Sequence, residues 1–333
     1  MKKPFFSVLL VVRNEERDIE GLLTQLLKQQ SEQFLMELIV IDGMSTDQTK
    51  AIVMRYQATY PQIKLLENPR QTLPAGWNIG IRAAQGDYIL RIDGHTAIPD
   101  DFLLRYTKTI EAHPEADVVG GVIDSKGRGF QGEINAYVYA HPFGVGNSKF
   151  RTLKNTSWEG YVDTVPYGAY KREIFAEVGF FNETLKRNED IEFHKRMKDA
   201  GKRFFLSTTI TSTYFVRPTL RTLIKKSLGD GKWTVIANKR TPGASGVRQK
   251  APLVAFVLGL LFTILSFFHL YLFAAFLLMV SLYVGVNAYA SVGIARKKGW
   301  RALFPCMVTF FCLHFFRGWG SFSAYFSRDY WRL

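Results

Sequence analysis

The longest uncharged stretch of the chain limits its possible folds more than any other feature. Residues 251–295 are 45 consecutive positions without Asp, Glu, Lys or Arg. One helical membrane span takes about 20 apolar residues. The stretch therefore predicts a hairpin of two transmembrane helices, with its turn near His269–Tyr271. A single core helix of this length would be unusual in a water-soluble protein, which makes burial in a core the weaker interpretation.

The excess of positive charge lies beside this hairpin. Residues 1–216 contain 27 Lys+Arg and 27 Asp+Glu, whereas residues 217–333 contain 16 and 2 and so hold the whole net charge of +14. Basic residues lie before the hairpin, in residues 217–250, and after it, in residues 296–301, so both of its ends are expected in the cytoplasm. Anionic lipid is the expected partner. Nucleic acid is not, because the N-terminal two thirds are neutral.

Apolar and basic segments suggest three parts in the chain. Residues 1–216 are expected to form a catalytic domain. Residues 217–250 mix basic with apolar side chains and predict amphipathic helices at the membrane interface. Residues 251–333 are expected to be a membrane domain, which contains the hairpin and a third apolar segment at 303–326. The uncharged core of that segment, Leu303–Phe316, contains Pro305 and is short for a span, so crossing, re-entrant and interfacial arrangements all remain open.

The N-terminal part alternates short apolar runs with stretches of helical spacing. This order predicts an α/β domain with a mostly parallel sheet, and ligands of such sheets bind where the strands end. Phe5–Val12 has no small-residue cleavage site after it and is interpreted as a buried strand, not a signal peptide. The other predicted strands are Leu38–Asp42, Ile63–Leu66, Tyr88–Asp93 and Val118–Ile123, and the predicted helices are Asp18–Gln30, Asp47–Tyr60, Pro74–Gln85 and Pro99–Ala112.

Two acids end predicted strands. Asp42 begins the run Asp42-Gly43-Met44-Ser45-Thr46-Asp47 and can accept hydrogen bonds from a base or a ribose, although the run also suits a turn in which Asp47 caps the next helix. Asp93 begins Asp93-Gly94-His95. Carboxylate and imidazole suit Mn²⁺ or a similar cation. An isolated motif of this kind is more often a turn.

A third acidic motif opens a helix. In Asn188-Glu189-Asp190, Asn188 can cap the helix and both acids suit its positive end. That explanation is sufficient for Glu189. For Asp190 a role as general base competes with it, because a displacement at a sugar carbon needs one carboxylate near the attacking hydroxyl.

Together these motifs resemble family 2 of the inverting glycosyltransferases, which have the nucleotide-sugar-binding GT-A fold. In particular the chain resembles the succinoglycan-type glucosyltransferases of exopolysaccharide assembly, over roughly residues 5–250. Besides the three acidic motifs, the resemblance rests on Ser7–Glu16, Asn68-Pro69-Arg70, Asn78-Ile79-Gly80, Gly86-Asp87, Gly144–Arg151 and Val162–Tyr170.

The resemblance implies a role for each motif. Glu15 and Asp42 should contact the uridine of a nucleotide-sugar donor, and Arg70 should lie near the nucleotide. Asp93 should bind both the nucleotide and, with His95, a divalent metal, Mn²⁺ or Mg²⁺. Asp190 should be the catalytic base. Tyr214 stands where some relatives place a metal-binding His, so the third protein ligand is open.

The basic segment differs from the family's processive enzymes. Those enzymes carry a Q-x-x-R-W motif, whereas residues 225–233 here read KKSLGDGKW, which favours addition of a single sugar. Trp233 can stack on an acceptor sugar or anchor the chain at the interface. Lys226 and Lys232 are candidates for a lipid diphosphate, and Glu189 is a further candidate for acceptor contact.

The sequence thus predicts a multi-pass enzyme of the inner (plasma) membrane with its catalytic domain in the cytoplasm. It would be a metal-dependent inverting hexosyltransferase that moves one sugar from a UDP-linked donor such as UDP-glucose to a polyprenyl-diphosphate-linked saccharide. One alternative is a transferase that charges polyprenyl phosphate itself, which needs little base assistance. Another is an inactive nucleotide-binding scaffold, against which the intact acidic motifs argue.

Overall fold

The computed structural model describes residues 3–29 and 31–332. The chain divides into two compact units. The first contains the residues up to Asp124 and Lys149–Tyr214, and the second contains Ser125–Ser148 and Phe215 onward. The predicted domain boundary at residue 216 lies close to the last of the three points where the chain passes from one unit to the other, between Tyr214 and Phe215. The sequence did not indicate that residues 125–148 group with the C-terminal helices.

The strands and helices alternate as predicted in the N-terminal part, and β1 and β4 have the predicted bounds. The predicted end of α1 at Gln30 lies outside the described residues. The strands are β1 Phe5–Val12, β2 Leu35–Asp42, β3 Ile63–Glu67, β4 Tyr88–Asp93, β5 Thr96–Ala97, β6 Val118–Lys126, β7 Glu159–Val162, β8 Ala169–Lys171 and β9 Phe204–Phe215. The helices are α1 Ile19–Leu27, α2 Thr49–Thr59, α3 Leu73–Ala83, α4 Phe102–Ala112, α5 Gly129–Ala140, α6 Pro142–Val145, α7 Lys149–Thr152, α8 Ile174–Glu177, α9 Glu189–Asp199, α10 Leu220–Arg240, α11 Val247–Leu265, α12 Leu270–Lys298, α13 Leu303–Ala324 and α14 Arg328–Trp331.

The sheet is mixed, which corrects the expectation of a mostly parallel one. Its order is β3-β2-β1-β4-β8-β6-β9-β5, with β7 paired to β9. β1 is parallel to β2 and β4, and β2 is parallel to β3. β8 is antiparallel to β4 and β6, and β9 is antiparallel to β5 and β7. β7 and β8 have four residues and three residues, too few for a clear apolar alternation, so the sequence did not reveal them.

The central strand β1 is buried on both faces. Phe6, Val8 and Leu10 belong to one apolar cluster, whereas Leu9 belongs to the other. A strand covered on both sides has a continuous apolar run, which is the pattern that predicted it. With the sheet fixed in this way, the ends of β1, β2 and β4 lie at one edge, because they are parallel neighbours.

The second unit is helical, and two of its helices meet at their backbones. A Cβ at Gly231 of α10 would lie 2.1 Å from the carbonyl oxygen of Arg317, and one at Gly320 of α13 would lie 2.2 Å from that of Leu228. Small residues permit this approach. The segment 217–250 thus contains one long helix, α10, whose Leu223, Ser227 and Ile236 are buried.

Polar contacts explain why residues 125–148 belong to the second unit. The Tyr137 hydroxyl of α5 donates to the Ala290 carbonyl of α12 at 2.6 Å. The Gln131 amide donates to the Thr309 hydroxyl of α13 at 3.0 Å. These hydrogen bonds join α5 to helices that follow it by more than 140 residues in the chain.

In the part of the chain that the structure describes, three helical segments are long and apolar enough to cross a membrane: Val247–Leu265, Leu270–Lys298 and Trp300–Ala324. The first two agree with the predicted hairpin, and their connection at 266–269 overlaps the predicted turn. The third is longer than its uncharged core suggested. Pro305 lies in the first turn of α13, where a missing N–H is tolerated, and the helix continues through Arg317.

Candidate active site at the ends of the parallel strands

Asp42 ends β2 with a carboxylate that is almost wholly buried. Its Oδ2 accepts a hydrogen bond from the Ser45 N–H at 3.0 Å. Its Oδ1 is buried and has no hydrogen-bond partner in the described part of the chain. A buried acceptor without a partner is costly, so such groups in native proteins usually meet a ligand or water. This oxygen suits a hydrogen-bond donor of a nucleoside, which is the contact that the resemblance implies for Asp42.

The loop after β1 lies against the ends of β2 and β4. The Gly43 N–H donates to the Val12 carbonyl at 2.8 Å. At Gly94, a Cβ would lie 3.1 Å from Cγ of Glu15, so a larger residue would press on the Glu15 side chain. Glycine at these positions allows Glu15 to lie beside both strand ends.

Left-handed backbone conformations cluster beside the predicted site residues. The described non-glycine residues with positive φ are Asn14, Met44, Gln71, Tyr167 and Asn188. Asn14 immediately precedes Glu15, Gln71 follows Arg70, and Asn188 precedes Glu189. Met44 lies two residues after Asp42. Such conformations cost of order 1–3 kcal/mol each and concentrate at functional sites. Their placement supports a ligand site at this edge of the sheet.

Asp93 and His95 come together with two residues that the sequence did not assign to the site. The Tyr167 hydroxyl donates to Oδ2 of Asp93 at 3.3 Å and lies 2.8 Å from the Thr96 hydroxyl. Nδ1 of His95 lies 3.3 Å from Oε1 of Glu15. The Tyr214 ring, which is the open position in the metal motif, lies 5.1 Å from the His95 ring.

Tyr167 remains a hydrogen-bond donor throughout the physiological pH range. Burial and then the Asp93 carboxylate raise its pKa well above the ordinary value. The only sequence signal for Tyr167 was its place within the Val162–Tyr170 motif. Its distance of 74 residues from Asp93 hid the contact.

The residues around Asp93 suit a divalent cation in part. Within residues 3–29 and 31–332, no group of three or more His, Cys, Asp or Glu is arranged to hold a metal ion. Asp93 and His95 supply one carboxylate and one imidazole, and Mn²⁺ accepts both. Mg²⁺ sites commonly use one or two carboxylates and complete their shell with substrate phosphates and water. The pair therefore fits a metal that arrives with, or is completed by, a diphosphate.

Arg70 contacts a different group of side chains from those around Asp93. Its exposed guanidinium pairs with the Glu183 carboxylate, which also accepts from the Asn78 amide at 2.8 Å. Arg70 and Glu183 line a cleft of about 490 Å³. The Asn68 N–H, two residues before Arg70, donates to the Asp42 carbonyl at 2.8 Å, so the loop that holds Arg70, which follows β3, begins beside the end of β2.

Glu189 and Asp190 differ in their surroundings although they are neighbours at the start of α9. Asp190 is half-buried, and its Oδ1 accepts from the Ile191 N–H at 2.8 Å. Glu189 is 4% exposed, and its Oε1 lies 3.7 Å from a guanidinium nitrogen of Arg91. Burial and then repulsion from Asp190 raise the pKa of Glu189 to about 7, while Arg91 opposes the shift. Burial argues against direct acceptor contact by Glu189.

Asn188 does not cap α9 in the predicted way. It occupies the N-cap position with a φ of 59°, and its side chain makes no capping hydrogen bond to the helix. By contrast Asp47 does hold the start of α2, because its Oδ1 accepts from the Thr49 N–H at 3.0 Å.

The three candidates in the second unit have partners within that unit. Lys226 pairs with Asp230 at 2.5 Å and Lys232 with Asp329 at 2.6 Å. Trp233 is 7% exposed. Contact of these residues with a lipid diphosphate or an acceptor sugar stays a prediction.

A second cleft, of about 410 Å³, lies in the first unit beside β5 and β9. Its polar lining includes Asp124, Asn155, Thr211 and Thr213. Thr213 is the pairing partner of Ala97, one position along from the pair of Thr96 with Tyr214. The cleft therefore lies beside β5, which directly follows His95, and beside β9, which contains Tyr214. Its carboxylate, amide and hydroxyls are groups that hydrogen-bond to sugars.

The fold is that of a GT-A-like domain. A mannosyltransferase from Pyrobaculum calidifontis, solved with GDP-mannose and Mn²⁺, superposes with a TM-score of 0.63 over 98% of this chain and 89% of its own, at 18% identity. That likeness shows the fold. Residues 7–179 match the family model described as glycosyl transferase family 2. The chain belongs to this family and is a glycosyltransferase.

Two relatives are similar over most of their length. The succinoglycan biosynthesis protein ExoA of Rhizobium meliloti is 28% identical over 251 residues, which are 74% of each chain. A Methanococcus voltae enzyme is 27% identical over 235 residues, 68% of this chain and 72% of its own. It is named dolichyl N-acetyl-alpha-D-glucosaminyl phosphate 3-beta-D-2,3-diacetamido-2,3-dideoxy-beta-D-glucuronosyltransferase. The resemblance to the succinoglycan-type enzymes of exopolysaccharide assembly is thereby confirmed.

Proposed function

We propose that this enzyme transfers a single sugar, with inversion, from a UDP-linked donor to a polyprenyl-diphosphate-linked saccharide at the cytoplasmic face of the plasma membrane. The observation that carries the proposal is the edge of the sheet where Asp42 offers a buried oxygen without a partner among the described residues, His95 lies against Glu15 and Tyr167 donates to Asp93. The name of the Methanococcus relative describes a lipid phosphate-linked sugar as its acceptor, which supports a lipid-linked acceptor here.

Each residue has one part in the reaction. Asp42 and Glu15 bind the nucleoside, and Arg70 lies near the nucleotide. Asp93 and His95 would hold Mn²⁺ or Mg²⁺, which offsets the charge of the donor diphosphate when it is bound. Asp190 accepts the proton of the acceptor hydroxyl, whose oxygen attacks the anomeric carbon from the face opposite the nucleotide. The bond from that carbon to the nucleotide breaks as the new one forms, so the configuration inverts.

We place the acceptor saccharide in the cleft beside β5 and β9. The cleft lies beside β5, which directly follows His95, and is large enough for a small ligand. Asp124 and Thr213 would bind sugar hydroxyls. Because the Lys154 ammonium pairs with Asp124, it would orient that carboxylate.

The apolar segments would keep the acceptor close. Three helices of membrane-spanning length and basic residues at both ends of the predicted hairpin favour a multi-pass protein whose catalytic domain is cytoplasmic. Sixteen basic residues against two acidic ones in residues 217–333 favour a surface of anionic lipid.

The test is direct. Purified enzyme would be incubated with Mn²⁺, a panel of nucleotide sugars and a bacterial membrane lipid extract, and the lipids would be analysed by mass spectrometry. The proposal expects one lipid to gain the mass of one hexose with UDP-glucose or a related donor. Modification of a bare polyprenyl phosphate would favour the phosphate-acceptor alternative, and no product with any donor would contradict the proposal.

A further inference from the structure

An arginine on the metal-motif strand is buried where no predicted role requires one. Arg91 lies on β4, two residues before Asp93, so both side chains point to the same face of the sheet. Its side chain is 13% exposed. Burying a guanidinium is costly unless its charge and its donors find partners, so its surroundings need an explanation.

Two aromatic rings, one carboxylate and the Tyr170 hydroxyl surround the Arg91 guanidinium. Its central carbon lies 4.4 Å from the Trp77 ring centre and 4.6 Å from that of Phe181, close enough for cation–π attraction on both sides. The rings belong to α3 and to the loop before α9. The guanidinium is therefore fixed in its plane, and its charge faces Glu189 at 3.7 Å.

Glu189 is the first residue of α9, and Asp190 is the second. The three acids in the first turn of this helix repel one another, although the helix N-terminus attracts them. Glu192 is paired further along with Arg196 at 2.8 Å. Arg91 is the cation that faces Glu189, so it joins the strand that ends in Asp93 to the turn that holds Asp190.

We propose that Arg91 is a positioning residue that acts through Glu189 to fix the Asp190 carboxylate relative to the end of β4. This inference rests on the proposed function, since it assigns Arg91 and Glu189 to the same sugar transfer. The Nε of Arg91 is buried without a hydrogen-bond partner in the described part of the chain. The guanidinium is held by stacking, by the ion pair with Glu189 and by a hydrogen bond to the Tyr170 hydroxyl, so the orientation of Arg91 and that of Glu189 depend on each other.

The test is a double-mutant cycle in the full-length enzyme, with Arg91→Met, Glu189→Gln and the double variant. Each would be measured for melting temperature, for UDP affinity in Mn²⁺ and for transfer from the active donor. Arg91→Met leaves a buried carboxylate without its counter-charge, and we expect the melting temperature to fall by several degrees. We expect kcat to fall roughly 10- to 100-fold at nearly unchanged donor KM, because misplacing a catalytic group by about 1 Å has effects of this size.

Recovery in the double variant separates positioning from a merely structural role. Replacing both partners removes the unpaired charge, so the double variant should regain melting temperature and part of kcat relative to Arg91→Met. Arg91→Lys keeps the charge without the planar fork and should be intermediate. The matched control is Arg203→Met, because Arg203 also stacks on an aromatic ring, Tyr161, at 3.9 Å. It should keep wild-type kcat.

Three results would overturn the inference. Wild-type kcat in folded Arg91→Met would exclude positioning, and loss of UDP affinity in that variant would place Arg91 in the donor site instead. Absence of coupling between Arg91 and Glu189 in an active enzyme would remove the clamp but leave the proposed function intact. A wild-type enzyme that transfers no sugar from any donor would overturn the proposed function and, with it, the reaction that Arg91 serves.

Discussion

The two units put their apolar residues in opposite places. In the first unit, strands such as β1 are buried on both faces and polar residues follow at their ends. In the second, α11 and α12 expose large apolar side chains such as Leu261, Leu278 and Tyr289. In a domain that is surrounded by water, the apolar side chains are buried and the polar, ligand-binding side chains lie at the edge of the sheet. An apolar outer surface instead suits contact with lipid. Reagents that act on ions and reagents that act on apolar burial should therefore affect different properties of the enzyme.

The largest expected effect is on the first unit. Removing divalent cations with excess chelator should abolish sugar transfer, because Asp93 and His95 would hold the ion that offsets the donor diphosphate. Added Mn²⁺ or Mg²⁺ should restore transfer. His95→Ala should weaken UDP binding, measured by calorimetry, only when the metal is present. Undiminished transfer in excess chelator would show that Asp93-Gly94-His95 is only a turn.

The second unit should respond to neither chelator nor salt. High salt screens basic patches but strengthens apolar burial. Membranes washed in high salt should therefore retain the protein, as measured by immunoblotting of pellet and supernatant. Detergent should release it. Release by salt alone would mean that the apolar hairpin at 251–295 does not cross the membrane and that the basic surface carries the attachment.

An intermediate effect is expected in the cleft beside β5 and β9. Thr213→Val removes one hydroxyl without changing the shape of the side chain. Losing one hydrogen bond of about 1 kcal/mol should raise the acceptor KM roughly fivefold. The donor KM serves as the internal control and should stay the same. An unchanged acceptor KM in both Thr213→Val and Asp124→Asn would place the acceptor elsewhere.

A further effect concerns the pH dependence of stability. His194 in α9 is buried between the Thr164 and Tyr170 hydroxyls, at 2.8 Å and 2.7 Å. Burial lowers its pKa from 6.5 to about 3, so the folded protein holds the ring neutral while the unfolded chain protonates it below pH 6.5. The stabilisation is complete above pH 6.5 and is lost as the pH falls toward 3. The melting temperature of the wild type should decline over this interval more steeply than that of His194→Gln. Equal slopes would contradict the assignment.

Local sequence patterns predicted the half of the sheet in which strands alternate with helices along the chain, from β1 to β4. β1 and β4 begin and end at the predicted residues because each is a mainly apolar run, interrupted only by Ser7 in β1 and by Arg91 in β4, with polar groups at its end. Asp42 and Asp93 could be placed at one edge for the same reason. β7 and β8 are too short and too polar to carry such a pattern, so the change to a mixed sheet could not be foreseen.

Contacts between distant positions account for what the sequence did not reveal in the site. Tyr167 reaches Asp93 across 74 residues, and Arg91 faces Glu189 across a span of 98 positions. Neither pair leaves a trace in local spacing. In the second unit, Pro305 and Arg317 made the third apolar segment look shorter in sequence than the helix that it forms. Helix α13 accepts the proline in its first turn and continues past the arginine.

The transfer rate of Asp190→Asn tests the central claim most directly. Asn keeps the shape of the side chain and can accept from the Ile191 N–H, but it cannot take a proton from the acceptor. The account predicts a fall in transfer of about 10²–10⁴-fold, the usual scale for loss of a general base, with UDP affinity in Mn²⁺ and melting temperature close to wild type. Near-normal transfer by a folded Asp190→Asn enzyme that binds UDP would contradict the base assignment and favour a phosphate acceptor.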